Sequence, residues 1–189
     1  TNSALTAAAL AALNANCDAL AAPGAPLPTS SGAGLPCADT LYYIYNNGRV
    51  AAASGSASAW TSPIITYTIN QQYAWVVQLQ AGYRPHEIRE FARAAYDENN
   101  AANPTDTQTV GTVTATGFVR VYEQIADLID ALDYAGFDVW MVSASGQYVV
   151  EEVAEEVGIS RDHVIGVRSV VDRGVITSDF QGCGTVADG

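Results

Sequence analysis

The chain has 189 residues, a formal net charge of −12, and 49% hydrophobic against 15% charged residues. That composition describes a folded chain able to bury a core as one domain or one and a half, and the charge makes nucleic acid and anionic membrane poor partners. All eight basic residues are arginine, and no apolar stretch approaches the roughly 18 residues of a bilayer span.

Leu5 to Leu20 reads as an alanine-rich helix capped by Thr6, with Ala9, Leu10, Leu13 and Cys17 on one side. Residues 22–36 form a Pro/Gly/Ser-rich loop between Cys17 and Cys37. A disulfide across it would contribute about 3 kcal/mol and imply an exported protein, secreted or periplasmic; three reduced cysteines in a cytosolic protein are the alternative. Cys183 is the odd cysteine: a free thiol, an intermolecular bridge, or half of a pair whose partner lies beyond Gly189. Because Thr1 is preceded by no leader, any targeting segment is expected to have been removed or to lie outside the chain.

Leu41 to Tyr45 fits helix or strand, a helix continuing from Asp39 being favoured, and Asn46-Asn47-Gly48 ends it. Ala51 to Ser58 reads as small-residue loop. A helix is expected over Ile69–Ala81, with Tyr73, Val76, Val77 and Gln80 on one stripe, closed by Gly82. Pro85 opens another helix, carrying Ile88, Phe91, Ala92 and Ala95 inward to about Glu98. After a polar connector (Asn99–Asp106), Thr107–Thr116 alternates Thr and Val about Gly111, which suggests a short two-stranded return into the core.

From Val121 the apolar positions Val121, Ile125, Leu128, Ile129 and Leu132 step at helical spacing, and Gly136 ends that helix. Phe137 to Val142 then reads as a parallel-type strand buried on both faces. Polarity switches at Ser143-Ala144-Ser145-Gly146, and a helix follows with Val149, Val150, Val153, Ala154 and Val157 as its stripe. Glu151, Glu152, Glu155 and Glu156 are expected to face water. Gly158 closes this helix and Val164–Val167 makes a second strand, so the order predicts a parallel sheet with crossover helices. Asp172-Arg173-Gly174 is a hairpin turn between Val170-Val171 and Val175-Ile176. A small-residue turn from a strand into a helix gathers backbone N–H groups and hydroxyls at a positive helix end, which suits an anion and phosphate in particular.

Residues from about Val119 to Gly189 resemble the haloacid dehalogenase superfamily of phosphohydrolases, nearest its phosphoserine-phosphatase and phosphorylcholine-phosphatase branches. The likeness is carried by the helix before Gly136, the strand ending in Ser143, Ala144-Ser145-Gly146, the helix with Glu151, Gly158-Ile159 before Val164-Ile165, the hairpin after Arg168, and Ala187-Asp188-Gly189. The resemblance implies an α/β fold: a partial Rossmann-like core over 116–189 and a mainly helical cap over 1–115. It makes Ser143 the second-motif serine, whose hydroxyl holds the transferring phosphoryl group of a small phosphorylated substrate. Ala144 and Gly146 would add backbone N–H groups. Ser145 would also face phosphate, or else cap the helix. Arg168 would approach an anionic substrate or pair with a surface carboxylate.

The superfamily's phosphatases also use Asp-x-Asp-x-Thr, a lysine and an acidic pair that binds Mg²⁺. This chain has no Asp-x-Asp and no lysine; Asp127, Asp130 and Asp133 lie along a helix face. The chain is therefore expected to be inactive alone, a segment of a longer Mg²⁺-dependent enzyme whose nucleophile and metal ligands lie elsewhere. The alternative is a non-catalytic secreted module that binds an anion or acts as a scaffold. His86 and His163 both read as ordinary polar positions. The aromatics Tyr42, Tyr43, Tyr45, Trp60, Tyr67, Tyr73 and Trp75 read first as cap core, and secondarily as a wall suited to a quaternary ammonium group.

Overall fold

Thr6 starts the first helix by chemistry the sequence displays: its side chain accepts the N–H of Ala9, meeting one of the donors a helix start leaves unpaired. The computed structural model describes residues 5–18, 20, 32–52, 55–61 and 71–181. In order these form α1 (Ala7–Cys17), α2 (Gly34–Asn47), β1 (Arg49–Ala52), β2 (Gly55–Ser58), α3 (Gln71–Gln78), α4 (Pro85–Ala101), β3 (Thr107–Val110), β4 (Val113–Thr116), α5 (Glu123–Tyr134), β5 (Met141–Gly146), α6 (Gln147–Glu155), β6 (Val164–Val167), β7 (Ser169–Asp172) and β8 (Val175–Phe180), with a 3₁₀ turn, Arg161–His163, before β6. Cys183, Tyr67, Ile69, most of the 22–36 loop and Ala187-Asp188-Gly189 lie outside the described residues. The architecture is mixed α/β, with one parallel and three antiparallel strand pairs among the described residues.

The chain divides into two compact units, one of residues 1–76 and 107–116, the other mainly 77–106 and 117–187. In the first, α2 is helical throughout Leu41–Tyr45 and ends at Gly48, whose positive φ of 62° closes the helix. The Ala51–Ser58 segment is not loop. It supplies most of an antiparallel hairpin, Arg49 pairing with Ser58 and Val50 with Ala57. Small residues are poor strand formers alone, but here Val50 is buried among Leu5, Ala9, Ile44, Ala59 and Trp75, and that burial decides the conformation. Cys17 and Cys37 are joined by a disulfide, Cα to Cα 4.8 Å. The β3–β4 pairing forms but does not return into the core, its residues being exposed or half-buried. Its loop is held by Asp39, whose carboxylate accepts from the Thr112 backbone N–H (2.7 Å) and hydroxyl (3.0 Å). In α3 Val77 is buried as expected, but Trp75 is buried with it and Tyr73 is exposed.

In the second unit β5 and β6 pair in parallel, joined through α6. Met141, Val139 and Val164 pack with Val150 and Ala154 of α6, with Val157 just after it, and with Ala126 and Ile129 of α5. The strand expected over Phe137–Val142 starts four residues later, at Met141, and continues through the serines. It is also not buried on both faces. Val142 is 72% exposed and its partner Ile165 45%, because the helices cover one side of the pair and β6 is the one neighbour of β5 among the described residues. Ile125 and Leu128 of α5 are also half exposed; the residues of that helix that pack on the core are Ala126 and Ile129. The β7–β8 hairpin turns on Arg173 and Gly174, both at positive φ, as Asp-Arg-Gly suggests.

α4 lies along α6. Ile88 is buried as expected, but Tyr96 is the other buried residue, whereas Ala95 is exposed and Phe91 is 53% exposed and packs edge-on against Tyr83. The reason is that α4 meets a charged surface. Glu151 and Glu152 are buried, not solvated. Arg89 pairs with Glu151 at 2.6 Å. Arg93 pairs with Glu152 and Glu156, and Arg161 with Glu152 (2.9 Å) and Glu155 (2.6 Å). Carboxylates are buried this way only when paired and hydrogen-bonded.

Candidate functional site

The ladder between β5 and β6 is uneven, and that irregularity makes the serine turn. Val142 pairs with Ile165 and Gly146 with Val167. Three residues, Ser143, Ala144 and Ser145, therefore stand opposite the single Gly166. Extra residues on one strand leave the ladder and bend outward. The room for the bend comes from Gly166: a Cβ there would lie 2.8 Å from Cα of Gln147 and 2.9 Å from the Ser145 carbonyl oxygen. A Cβ on Gly146 would meet only side chains, Nε2 of Gln80 at 2.8 Å and a methyl of Val77 at 3.3 Å, and the flexible end of Gln80 can move aside.

Ser143 is half-buried, and Ala144 and Ser145 are exposed. The Ser143 hydroxyl oxygen accepts the Ser145 backbone N–H at 3.1 Å, which folds the bulge over its own first residue. Ser145 does not cap the helix. The N-cap of α6 is Gly146, which has no side chain to bond the helix start. The four residues named from sequence thus stand together at the carboxyl end of a parallel strand, directly before a helix, where sheet enzymes of this layout place ligands.

Beneath the turn is a residue that the sequence reading passed over. Gln147, the first residue of α6, is buried. Its Nε2 donates to Oε1 of Glu151 (2.9 Å) and to the Val164 carbonyl (3.0 Å). Its Oε1 accepts from the Gly166 N–H (2.7 Å) and from Nε of Arg168 (3.1 Å). A second nitrogen of Arg168 donates to the Val164 carbonyl at 3.3 Å, so among the partners described for it Arg168 meets no surface carboxylate. The available signal was the i, i+4 spacing of Gln147 and Glu151. Tyr148, next along, has its phenol pushed above the usual tyrosine range by burial first and by the Glu151 charge second.

Elsewhere, Trp140 stacks on His163 with ring centres 4.7 Å apart, and Asp138 contacts both side chains. His86, Arg89, Arg93, Asp97, Glu152 and Arg161 line a cavity of about 470 Å³ against α4. The serine turn is not part of that cavity, so its size does not rank it above the turn. Among the described residues no group of His, Cys, Asp and Glu could hold a metal ion, and the turn itself offers hydroxyl and N–H donors. Those groups fit an anion and not Mg²⁺, which wants several oxygen ligands. No described helix is long and apolar enough to cross a membrane.

Three comparisons bear on these features. A family model described as haloacid dehalogenase-like hydrolase matches residues 50–189. A conserved, functionally unknown protein from Anaerococcus prevotii DSM 20548 is similar in structure with a TM-score of 0.58 at 18% identity, over 79% of this chain and 39% of that one. A protein of unknown function from Bordetella pertussis Tohama I gives a TM-score of 0.46 at 18% identity, over 76% of this chain and 48% of that one. The chain thus spans less than half the length of either solved structure. No curated protein matches it.

Proposed function

The chain belongs to the haloacid dehalogenase-like hydrolases, and on that premise we propose that it forms part of a phosphomonoester hydrolase in which Ser143 holds the phosphoryl group. The observation that carries this reading is the bulge: a serine hydroxyl and exposed backbone at the carboxyl end of β5, immediately before the amino end of α6. Such a turn binds the oxygens of a phosphate through N–H and hydroxyl donors and the helix dipole. Residues 116–189 are assigned to the core that carries the serine, and residues 1–115 to the cap region.

Phosphoryl transfer needs positioning and stabilisation of charge on the transferred group, plus a nucleophile. The turn supplies the first. The nucleophilic aspartate, the lysine and the Mg²⁺ ligands of the family lie outside this chain in our reading, since no Asp-x-Asp pair and no lysine occur in it. The Cys17–Cys37 disulfide favours export to an oxidising compartment, secreted or periplasmic. The substrate is a small phosphorylated metabolite. A choline-phosphate preference rests on the aromatics of the first unit. Trp60 and Trp75 pack edge to face within that unit's core, whereas Tyr43 and Tyr73 are exposed.

The test is hydrolysis of p-nitrophenyl phosphate with Mg²⁺ by the full-length protein. Ser143→Ala is expected to lower kcat on the order of 10²-fold, the scale of losing one donor to the charged transition state. A variant at full rate would leave Ser143 with a structural role alone. The absence of the acidic pair and of lysine favours a second reading, a non-catalytic module that binds anions or acts as a scaffold. Phosphate binding by a full-length protein that shows no turnover would establish it.

A further inference from the structure

We propose that Gln147 is the positioning residue of this site: its carboxamide fixes the turn before α6 and delivers the Arg168 guanidinium to the bound anion. The inference rests on the reading of the Ser143 turn as a phosphate site and adds to it a charged group and the residue that holds it.

The geometry leaves Gln147 one orientation. Two acceptors, a Glu151 oxygen and the Val164 carbonyl, surround its nitrogen, and two donors, the Gly166 N–H and Arg168 Nε, surround its oxygen. All four places of the carboxamide that can bond are used. Gly166 is the residue that stands opposite the bulge, so the bond to its N–H ties the first residue of α6 to the strand that gives the turn its room. Arg168 follows Val167, the ladder partner of Gly146. Its base is therefore at the carboxyl end of β6, one strand over from the serines. Arg168 is exposed, yet two of its nitrogens are pinned, to Gln147 and to Val164. Its guanidinium folds back along β6 to the Val164 carbonyl, and, held by a buried neutral amide and not by a carboxylate, it keeps its full charge for a ligand. Glu151 would otherwise be the natural partner, but Arg89 of α4 already engages it. The side chains thus form one chain, Arg89–Glu151–Gln147–Arg168, with its neutral link next to the turn.

Replacing the amide by its isosteric carboxylate tests this. Gln147→Glu keeps an oxygen for Gly166 and Arg168 but sets a second carboxylate against Glu151 and the Val164 carbonyl. The titratable and charged groups facing the position are Glu151 and Tyr148 on α6, Arg89 on α4 and Arg168 after β6. Two carboxylates in one place raise a carboxyl pKa, so a proton should restore the missing donor on mild acidification. The measurement is calorimetric titration of the full-length protein with inorganic phosphate, read as the affinity ratio of variant to wild type at each pH. We expect about a tenfold loss at neutral pH, the scale of misplacing one charged hydrogen bond, and recovery toward wild type by about pH 5. A ratio near one at neutral pH, or an equal loss at both pH values, overturns the proposal.

If the buried variant does not fold by circular dichroism, Arg168→Gln at the exposed position decides. It should weaken phosphate about tenfold, and unchanged affinity overturns the proposal. Ser143→Ala separates the two readings. If Ser143→Ala binds phosphate as wild type does, the phosphate site itself is wrong and this inference falls with it. If Ser143→Ala loses binding while the Gln147 and Arg168 variants keep it, only this inference fails.

Discussion

Helices α1 and α2 meet through apolar side chains and a covalent bond: Ala9 and Ile44 share a cluster, and Cys17 is bonded to Cys37. Helices α4 and α6 meet through charge: Arg89 and Arg93 are laid against Glu151, Glu152 and Glu156, and Arg161 of the following 3₁₀ turn adds bonds to Glu152 and Glu155. Neither joint suits the conditions that favour the other. A covalent, apolar joint is indifferent to salt and mild pH change but depends on oxidation. A joint of buried carboxylates is indifferent to reductant, yet each of its members becomes a liability once its partner is removed.

Cutting the covalent joint should have the largest effect. Cys17→Ser is expected to cost about 3 kcal/mol of stability, by releasing the loop that the bond closes in the unfolded chain. Chemical denaturation with and without reductant checks it, and reductant should leave the variant unchanged while lowering wild type. Next is the ionic joint. Glu152 is buried between Arg93 and Arg161, so Glu152→Ala should cost about 2 kcal/mol, allowing for arginines that are themselves part exposed. Raising salt to about 1 M should narrow the gap between that variant and wild type, and should leave the Cys17→Ser difference unaltered. If salt changed both equally, the contrast between the two joints would be wrong.

The smallest effect concerns alkaline pH. Burial, and secondly Glu151, hold the Tyr148 phenol above its ordinary range. The unfolded chain then loses that proton first. Stability from this group is complete below about pH 10 and declines as pH rises from there through the folded value. Tyr148→Phe should flatten that decline, as followed by denaturation midpoints across the alkaline range. A slope identical to wild type would assign the alkaline loss to other groups, such as Tyr96, whose phenol burial also raises.

How much of this was legible beforehand differs by element. Thr6 as a cap, Gly48 and Gly136 as helix ends, Pro85 as a helix start and Asp172-Arg173-Gly174 as a turn were all readable, because each acts within a few residues. The serine turn was placed at the right residues, but its form was not. The count of three residues opposite Gly166 depends on where β6 lies, and no spacing within 137–147 carries that. Glu151 and Glu152 were misassigned, while Glu155 and Glu156 are exposed as read, because helical period says which residues share a face, not what covers that face. Arg89 and Arg93 lie about sixty positions away and meet Glu151 and Glu152 only after folding.

By itself the amino-acid order determined the local pieces, the strand–turn–helix unit with Ser143 in it, and the cysteine pair able to close a loop, since these follow from dihedral preference and hydrophobic period. Tertiary structure alone decided that Glu151 and Glu152 are buried and that Gly166 makes room for a bulge. It likewise decided that Gln147 stands between a carboxylate and an arginine. Each of those facts is a meeting of residues distant in the chain, and such meetings are set by packing and desolvation, not by local propensity.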